Sequence, residues 1–141
     1  IGKPAPEIQL TMLDESTFDL SSYKGKVVVL DFWATWCGPC IKAMPEVKTV
    51  VEAFPAEAVV LCTINQSESI PIIHRFLESR DWNRLPVALD FDMNVSQAYL
   101  ATEIPHTVVI GKDGVVKWVR TGFSEELRRE LFEAIAGSLQ Q

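Results

Sequence analysis

Leu30-Asp31-Phe32-Trp33-Ala34-Thr35-Trp36-Cys37-Gly38-Pro39-Cys40 is the stretch that decides how the rest of the chain is read. It begins inside an apolar, largely β-branched run, Val27 to Trp33, and closes on two cysteines with two residues between them. A short apolar run between Gly25-Lys26 and the cysteines predicts a central strand covered on both faces. Beyond it, Ile41, Met44, Val47, Val51 and Phe54 recur at spacings of three and four. That period predicts a helix starting at the cysteines and burying one face. Pro39 suits the first helical turn, where a missing N–H forfeits no hydrogen bond. Pro45 should kink the helix and Pro55 should stop it.

Cys37 therefore sits just ahead of a helix N-terminus, and Cys40 lies in the first turn. A helix start offers unpaired N–H groups and the positive end of the dipole. Both favour the thiolate, the species that attacks a sulfur–sulfur bond. On this reading Cys37 attacks and the less accessible Cys40 resolves the mixed disulfide. The same spacing also serves zinc or copper, but zinc usually takes four ligands. No second cysteine pair exists, and His74 and His106 lack ligand spacing. A purely structural disulfide is the other alternative, although Trp36 and Gly38-Pro39 would add nothing to a staple.

The 141 residues make one domain, and 48% hydrophobic with 23% charged residues can build one core. A net charge of −6 and no basic run make nucleic acid and anionic membrane poor partners. No apolar run approaches the ~20 residues of a membrane-spanning helix. The chain opens on Ile1 rather than Met, which points to processing or trimming; a signal peptide is not visible and could have been removed. Of three cysteines, Cys62 is left outside the motif, in a predicted strand, and reads as a small buried hydrophobe.

Along the chain, Ile8, Leu10 and Met12, then Phe18 and Leu20, alternate with polar residues and predict a short hairpin over residues 7–20. Ala58 to Ile64 is a second apolar strand. Ile72, Ile73, Phe76 and Leu77 mark a second helix with Pro71 in its first turn. Pro86 to Phe91 is a short strand, and Val95, Ala98, Tyr99 and Leu100 a short helix. Val108-Val109-Ile110 and Val115 to Val119 flank an Asp113-Gly114 turn. Ser124 is a candidate N-cap for a last helix with Leu127, Leu131, Ile135 and Leu139 inside. The order β-β-β-α-β-α-β-α-β-β-α predicts parallel strands first and an antiparallel pair at one side.

Trp36-Cys37-Gly38-Pro39-Cys40 is identical to the thioredoxin active-site pentapeptide, and Asp31-Phe32-Trp33-Ala34 and Pro45 resemble its flanks. Leu20-Ser21, Gly25-Lys26, Pro105-His106-Thr107 and Asp113-Gly114 are similar to the TlpA/ResA-like branch of the thioredoxin superfamily. The resemblance covers residues 2–140. It implies an α/β fold: a thioredoxin-like three-layer α/β/α sandwich with a mixed central sheet, an N-terminal β-hairpin extension and a central helix–strand insertion near residues 70–92. It implies a thiol–disulfide oxidoreductase that needs no bound cofactor and exchanges electrons with protein cysteines, in the reducing direction. Its partners would be protein disulfides and an upstream redox donor protein. A monomer in an extracytoplasmic setting, tethered by a segment outside this chain, follows from the same resemblance.

By that resemblance Asp31 accepts the proton of Cys40 during resolution, and a buried carboxylate should have a raised pKa. Ile104-Pro105 would be a cis peptide facing the cysteines, with the Ile104 backbone able to pair with an extended substrate. Trp36, Gly38, Pro39, Ile104 and Pro105 would thus shape and tune the groove. The chain departs from the family in two places: Ala58 to Asn65 has no lysine to neighbour Asp31, and Ala43 stands where ResA-like members carry a glutamate. His106, where threonine is commoner, reads as an exposed loop residue, with electrostatic tuning of the cysteines as the alternative. Trp33 is expected in the core, Trp82 and Trp118 as packing residues, and His74 on a helix surface.

Two rival functions remain. A peroxiredoxin-like peroxidase would need Pro-x-x-x-Thr-x-x-Cys, but Leu30 and Ala34 occupy the Pro and Thr positions. A non-catalytic binding or metallochaperone module would hold stoichiometric metal and lack disulfide reductase activity.

Overall fold

The computed structural model describes residues 1–141. In chain order the elements are β1 (Gln9–Thr11), β2 (Thr17–Asp19), a 3₁₀ turn at Leu20–Tyr23, β3 (Val27–Trp33), α1 (Gly38–Glu52), β4 (Val59–Gln66), α2 (Ile70–Arg80), β5 (Val87–Asp90), α3 (Asn94–Ala98), β6 (His106–Ile110), β7 (Val116–Thr121) and α4 (Leu127–Leu139). The apolar run reads correctly as the central strand: all seven residues of β3 are buried. The five-stranded sheet runs β5-β4-β3-β6-β7. β3, β4 and β5 are parallel, β6 is antiparallel to β3, and β7 is antiparallel to β6. The N-terminal hairpin, β1 with β2, is a separate antiparallel pair. It joins the edge of the sheet by a bridge from Met12 to Ala88.

Alternation along β3 sends Val28, Leu30 and Phe32 to one face and Val27, Val29, Asp31 and Trp33 to the other. The first face packs against Ile8 and Phe18 of the hairpin region and Tyr99 at the end of α3. On the second lie Val47 and Val51 of α1 and Leu127, Leu131 and Ile135 of α4. Trp33 and Met44 pack there against Ile73 and Leu77 of α2. The layers are therefore unequal: three helices on one side, one short helix and the hairpin on the other. Each fully buried Leu or Ile of α4 contributes on the order of 2 kcal/mol of transfer free energy.

Several expectations need adjustment. Ile72 is 43% exposed, so α2 buries Ile73 and Leu77, with Phe76 at the margin. A helix packed on a flat sheet needs only a narrow stripe, and one apolar residue beyond it stays in water. Ala98 and Leu100 are likewise exposed; α3 ends at Ala98, and Leu100 takes a left-handed φ of 57°. Ser124 does not cap α4, whose first residue is Leu127 and whose N-cap is Glu126, without a side-chain bond. Its hydroxyl accepts from Arg120 instead. The hairpin turn holds: Gly111 N–H donates to the Val115 carbonyl, and Gly114 has φ +79°, a conformation a side chain would strain. Pro45 lies inside α1 on its exposed side.

Parallel β3, β4 and β5 all end at one pole of the sheet, where antiparallel β6 begins. The β3–α1 turn and the segment before β6 meet there. At the opposite pole Gly2 N–H donates to Val116 O and Ala5 N–H to Gly114 O, 2.8 and 2.9 Å, where β7 begins.

Candidate active site

At the first pole Cys37 is the N-cap of α1, with extended backbone (φ −93°, ψ 104°) and Pro39 in the first turn. Its Sγ accepts a hydrogen bond from Cys40 N–H at 3.2 Å. Cys37 and Cys40 form a disulfide with a Cα–Cα separation of 5.2 Å. The helix start thus presents an N–H group to the leading sulfur, the arrangement that favours negative charge there. Cys37 is 4% and Cys40 1% exposed, while Trp36 beside them is 72% exposed. Gly38 and Pro39 are also exposed. Only a thin edge of the pair meets solvent, flanked by a large aromatic surface.

From the other side comes the segment ahead of β6. The Ile104–Pro105 peptide is cis. The Ile104 carbonyl oxygen lies 3.7 Å from Cys37 Sγ, across 67 residues of sequence. Ile104 is half-buried and Pro105 buried. The sequence-predicted set Trp36, Cys37, Gly38, Pro39, Cys40, Ile104 and Pro105 is therefore gathered at one place.

Asp31 lies on the helix-covered face of β3, fully buried. It stands opposite Thr63 on β4 and Thr107 on β6. Thr107 Oγ1 donates to Oδ1 at 3.5 Å, a weak bond, and Oδ2 has no partner. Thr63 is occupied elsewhere: it accepts from Trp33 Nε1 and donates to Pro86 O. No cation offsets the burial, so desolvation pushes the Asp31 pKa up to about 8, against a smaller pull from Thr107. At neutral pH the group is a carboxylic acid in large part, able to hold or give up one proton.

His106 corrects the reading of it as an exposed loop residue. Strand β6 begins two residues earlier than the apolar run Val108-Val109-Ile110 indicates, so His106 is inside it and buried. A polar residue can begin a buried strand when its ring finds a neighbour: Nδ1 shares a 2.9 Å hydrogen bond with Thr121 Oγ1, and the ring leans on Phe32. Burial lowers its pKa, an effect the Tyr99 backbone partly offsets. Nε2 makes no hydrogen bond of good geometry. The alternation of β6 sends His106 to the face opposite Asp31 and Thr107. Cys62 is buried too, and burial pushes its thiol up to about 12, which leaves it inert. His74 is on the exposed side of α2. No group of three or more His, Cys, Asp or Glu is placed to share a metal ion.

One site residue escaped the sequence reading. Glu68, in the turn between β4 and α2, reaches the loop that carries the cysteines. Thr35 N–H donates to its Oε1 at 2.7 Å and Thr35 Oγ1 to its Oε2 at 2.5 Å. Asn65 Nδ2 also donates to Oε1, at 2.8 Å. Its place in a polar turn, Ser67-Glu68-Ser69, gives no local sign of a partner 33 residues away.

The Redoxin family profile matches residues 1–135. The chain belongs to that family. The thiol-disulfide oxidoreductase ResA of Bacillus subtilis is 37% identical over 125 residues, which are 89% of this chain and 69% of that one. Among solved structures, a candidate protein disulfide isomerase from Bacteroides thetaiotaomicron superposes with TM-score 0.89 at 28% identity, over 100% of this chain and 91% of that one. A candidate thiol:disulfide interchange protein DsbE from Chlorobium tepidum gives 0.87 at 26%, over 98% and 96%. With a cysteine pair at the head of α1, the chain is a thiol–disulfide oxidoreductase of the TlpA/ResA-like branch, on a thioredoxin-like fold. Enzymes of this class exchange electrons with protein thiols and with redox partner proteins.

Proposed function

We propose that the chain reduces disulfides of partner proteins, with Cys37 as nucleophile, Cys40 as resolving thiol and Asp31 as proton acceptor. The observation that carries the reading is Cys37 Sγ held at the N-cap of α1, accepting from Cys40 N–H and facing the Ile104 carbonyl. In the dithiol form the Cys37 thiolate attacks one sulfur of the substrate disulfide, and the other leaves as a thiolate that takes up a proton. Cys40 then loses its proton and attacks Cys37 Sγ in the mixed disulfide, expelling the second substrate thiol. Two electrons pass from the cysteine pair to the substrate, whose two sulfurs take up the proton that Cys40 released and one from solvent, and Cys37–Cys40 ends oxidised. Asp31, buried on the helix-covered face of β3 with one unpaired oxygen, takes the Cys40 proton through a bridging water from its ionised form, the minority form at neutral pH. Trp36 and the backbone of Ile104 supply the contact surface for an extended substrate segment. An upstream donor protein would restore the dithiol.

The same resemblance supports an extracytoplasmic setting and a monomer, tethered by a segment outside this chain. No helix is long and apolar enough to cross a membrane. Residues 2–5 pair at the pole opposite the disulfide, so a tether ahead of Ile1 would leave the cysteines facing away from the membrane.

The test is an equilibrium titration of the couple against a glutathione or dithiothreitol series, read by thiol trapping. A reversible two-electron transition at about −270 to −220 mV supports a reductase. A value near about −120 mV would make the protein an oxidant of its substrates, and no transition would overturn the exchange reading. Stoichiometric metal after gel filtration without reductase activity would favour a metallochaperone, and thioredoxin-independent peroxide consumption a peroxidase.

A further inference from the structure

We infer that Glu68 is a positioning residue for thiol exchange, acting through Thr35 to hold Cys37 at the head of α1. The inference rests on the reading of Cys37 as the attacking thiol. Between the end of β3 at Trp33 and Cys37 stand only Ala34, Thr35 and Trp36. Cys37 N–H donates to the Ala34 carbonyl at 3.2 Å, so the turn is tight, and the placement of Thr35 fixes that of Cys37. Both hydrogen-bonding donors of Thr35, the backbone N–H and the hydroxyl, go to the one Glu68 carboxylate. That carboxylate is steadied in turn by Asn65, a buried residue of β4 that pairs in register with Trp33 of β3. The path runs from the rigid sheet through Asn65 and Glu68 to Thr35, with distances of 2.5–2.8 Å typical of charge-assisted bonds.

This clamp matters most in the dithiol state. While oxidised, Cys37 is tied covalently to Cys40 in the first turn of α1. Reduction removes that tie. What then keeps the Cys37 backbone extended, with Sγ toward Cys40 N–H and Ile104 O, is the Thr35 turn and whatever holds it. Loss of the clamp would leave Thr35 N–H without its acceptor, free the turn to shift toward water and draw the thiolate off the helix start.

Glu68→Ala and Glu68→Gln separate geometry from charge. Glutamine keeps one acceptor for Thr35 N–H and can donate to the Thr35 hydroxyl, while losing the negative charge. The readouts are the pH midpoint of Cys37 alkylation in the reduced protein, the kcat and KM for a disulfide substrate, and the thermal midpoint. The clamp predicts that Glu68→Ala raises the alkylation midpoint and lowers kcat by about tenfold, the scale of one lost bond to a charged group, with Glu68→Gln near wild type. A simple charge effect predicts the opposite sign: removing a nearby anion favours the thiolate, so both variants would lower the midpoint together, and that result overturns the inference. A lower thermal midpoint in Glu68→Ala with unchanged alkylation and kcat also overturns it, by reducing Glu68 to a structural contact. Cys37→Ser runs alongside: if it retains exchange activity the reading of the site itself fails, whereas parity of Glu68→Ala with wild type against an inactive Cys37→Ser removes only the positioning role.

Discussion

Two helices start at the same pole of the sheet from nearly the same local design, and only one of them is built for chemistry. α1 and α2 each follow a parallel strand. Each has an extended N-cap residue, Cys37 (φ −93°, ψ 104°) or Ser69 (φ −73°, ψ 151°), and each has proline in the first turn. At α1 the cap side chain accepts from Cys40 N–H; at α2 the cap makes no side-chain bond. Cys37 is buried against the segment ahead of β6, and Asp31 lies on the face of β3 beneath the helix. Ser69 and Ile70 open to solvent. A helix start is a generic source of N–H groups. What makes one reactive is the company brought to it from distant parts of the chain, which excludes water and raises the stakes of each charge.

The harshest way to break the contrast is to remove the sulfur that α1 holds. Cys37→Ser should lower turnover with a disulfide substrate by on the order of a thousandfold or more, the scale on which loss of a nucleophile acts. Cys40→Ser should abolish turnover equally but accumulate a mixed disulfide through Cys37, visible as a mass adduct that dithiothreitol removes. An adduct on Cys40 in the Cys37→Ser protein, at a comparable rate, would reverse the assigned roles.

Asp31→Asn is the next largest test. Loss of a proton acceptor should slow release of the mixed disulfide by roughly a hundredfold. Stability should move the other way. In the folded protein Asp31 titrates at about 8, against about 4 for an unfolded carboxyl. Between those values the native state binds the extra proton, so this group's contribution to stability is full below pH 4 and is lost as pH rises towards 8. Asparagine cannot ionise. Thermal midpoints should therefore show Asp31→Asn gaining on wild type by several degrees between pH 4 and pH 9; parallel curves would mean that Asp31 is not titrating from a buried, unpaired state.

How much of this was legible in the sequence follows the same division. Local signals read well: the β3 run, the α1 period, Pro71 at the start of α2 and the Asp113-Gly114 turn all lie where their chemistry places them. The cysteines and Asp31 were legible because motif and strand end are contiguous. The cis Ile104–Pro105 bond was legible only through resemblance, since its partner sulfur is 67 residues earlier. Failures came where a polar side chain is satisfied at long range. His106 enters a buried strand because Thr121 on β7 meets its ring. Ser124 gives up a cap because Arg120 claims its hydroxyl. Glu68 serves the loop of Thr35, and a glutamate in a polar turn carries no mark of that errand. Apolar periodicity reports which face is buried; it says nothing about which buried polar atom meets which.

The smallest test sharpens the comparison from the α2 side. A serine that caps a helix typically costs about 1 kcal/mol when replaced by alanine. Ser69 has the backbone of a cap but makes no such bond, and the turn it belongs to is held one residue earlier by Glu68. Ser69→Ala should then change unfolding free energy by only a few tenths of a kcal/mol, with the redox titration and kcat unmoved. A loss near the full capping value in denaturant unfolding would show that α2 is capped after all, and the contrast between the two helix starts would shrink to the identity of the capping atom.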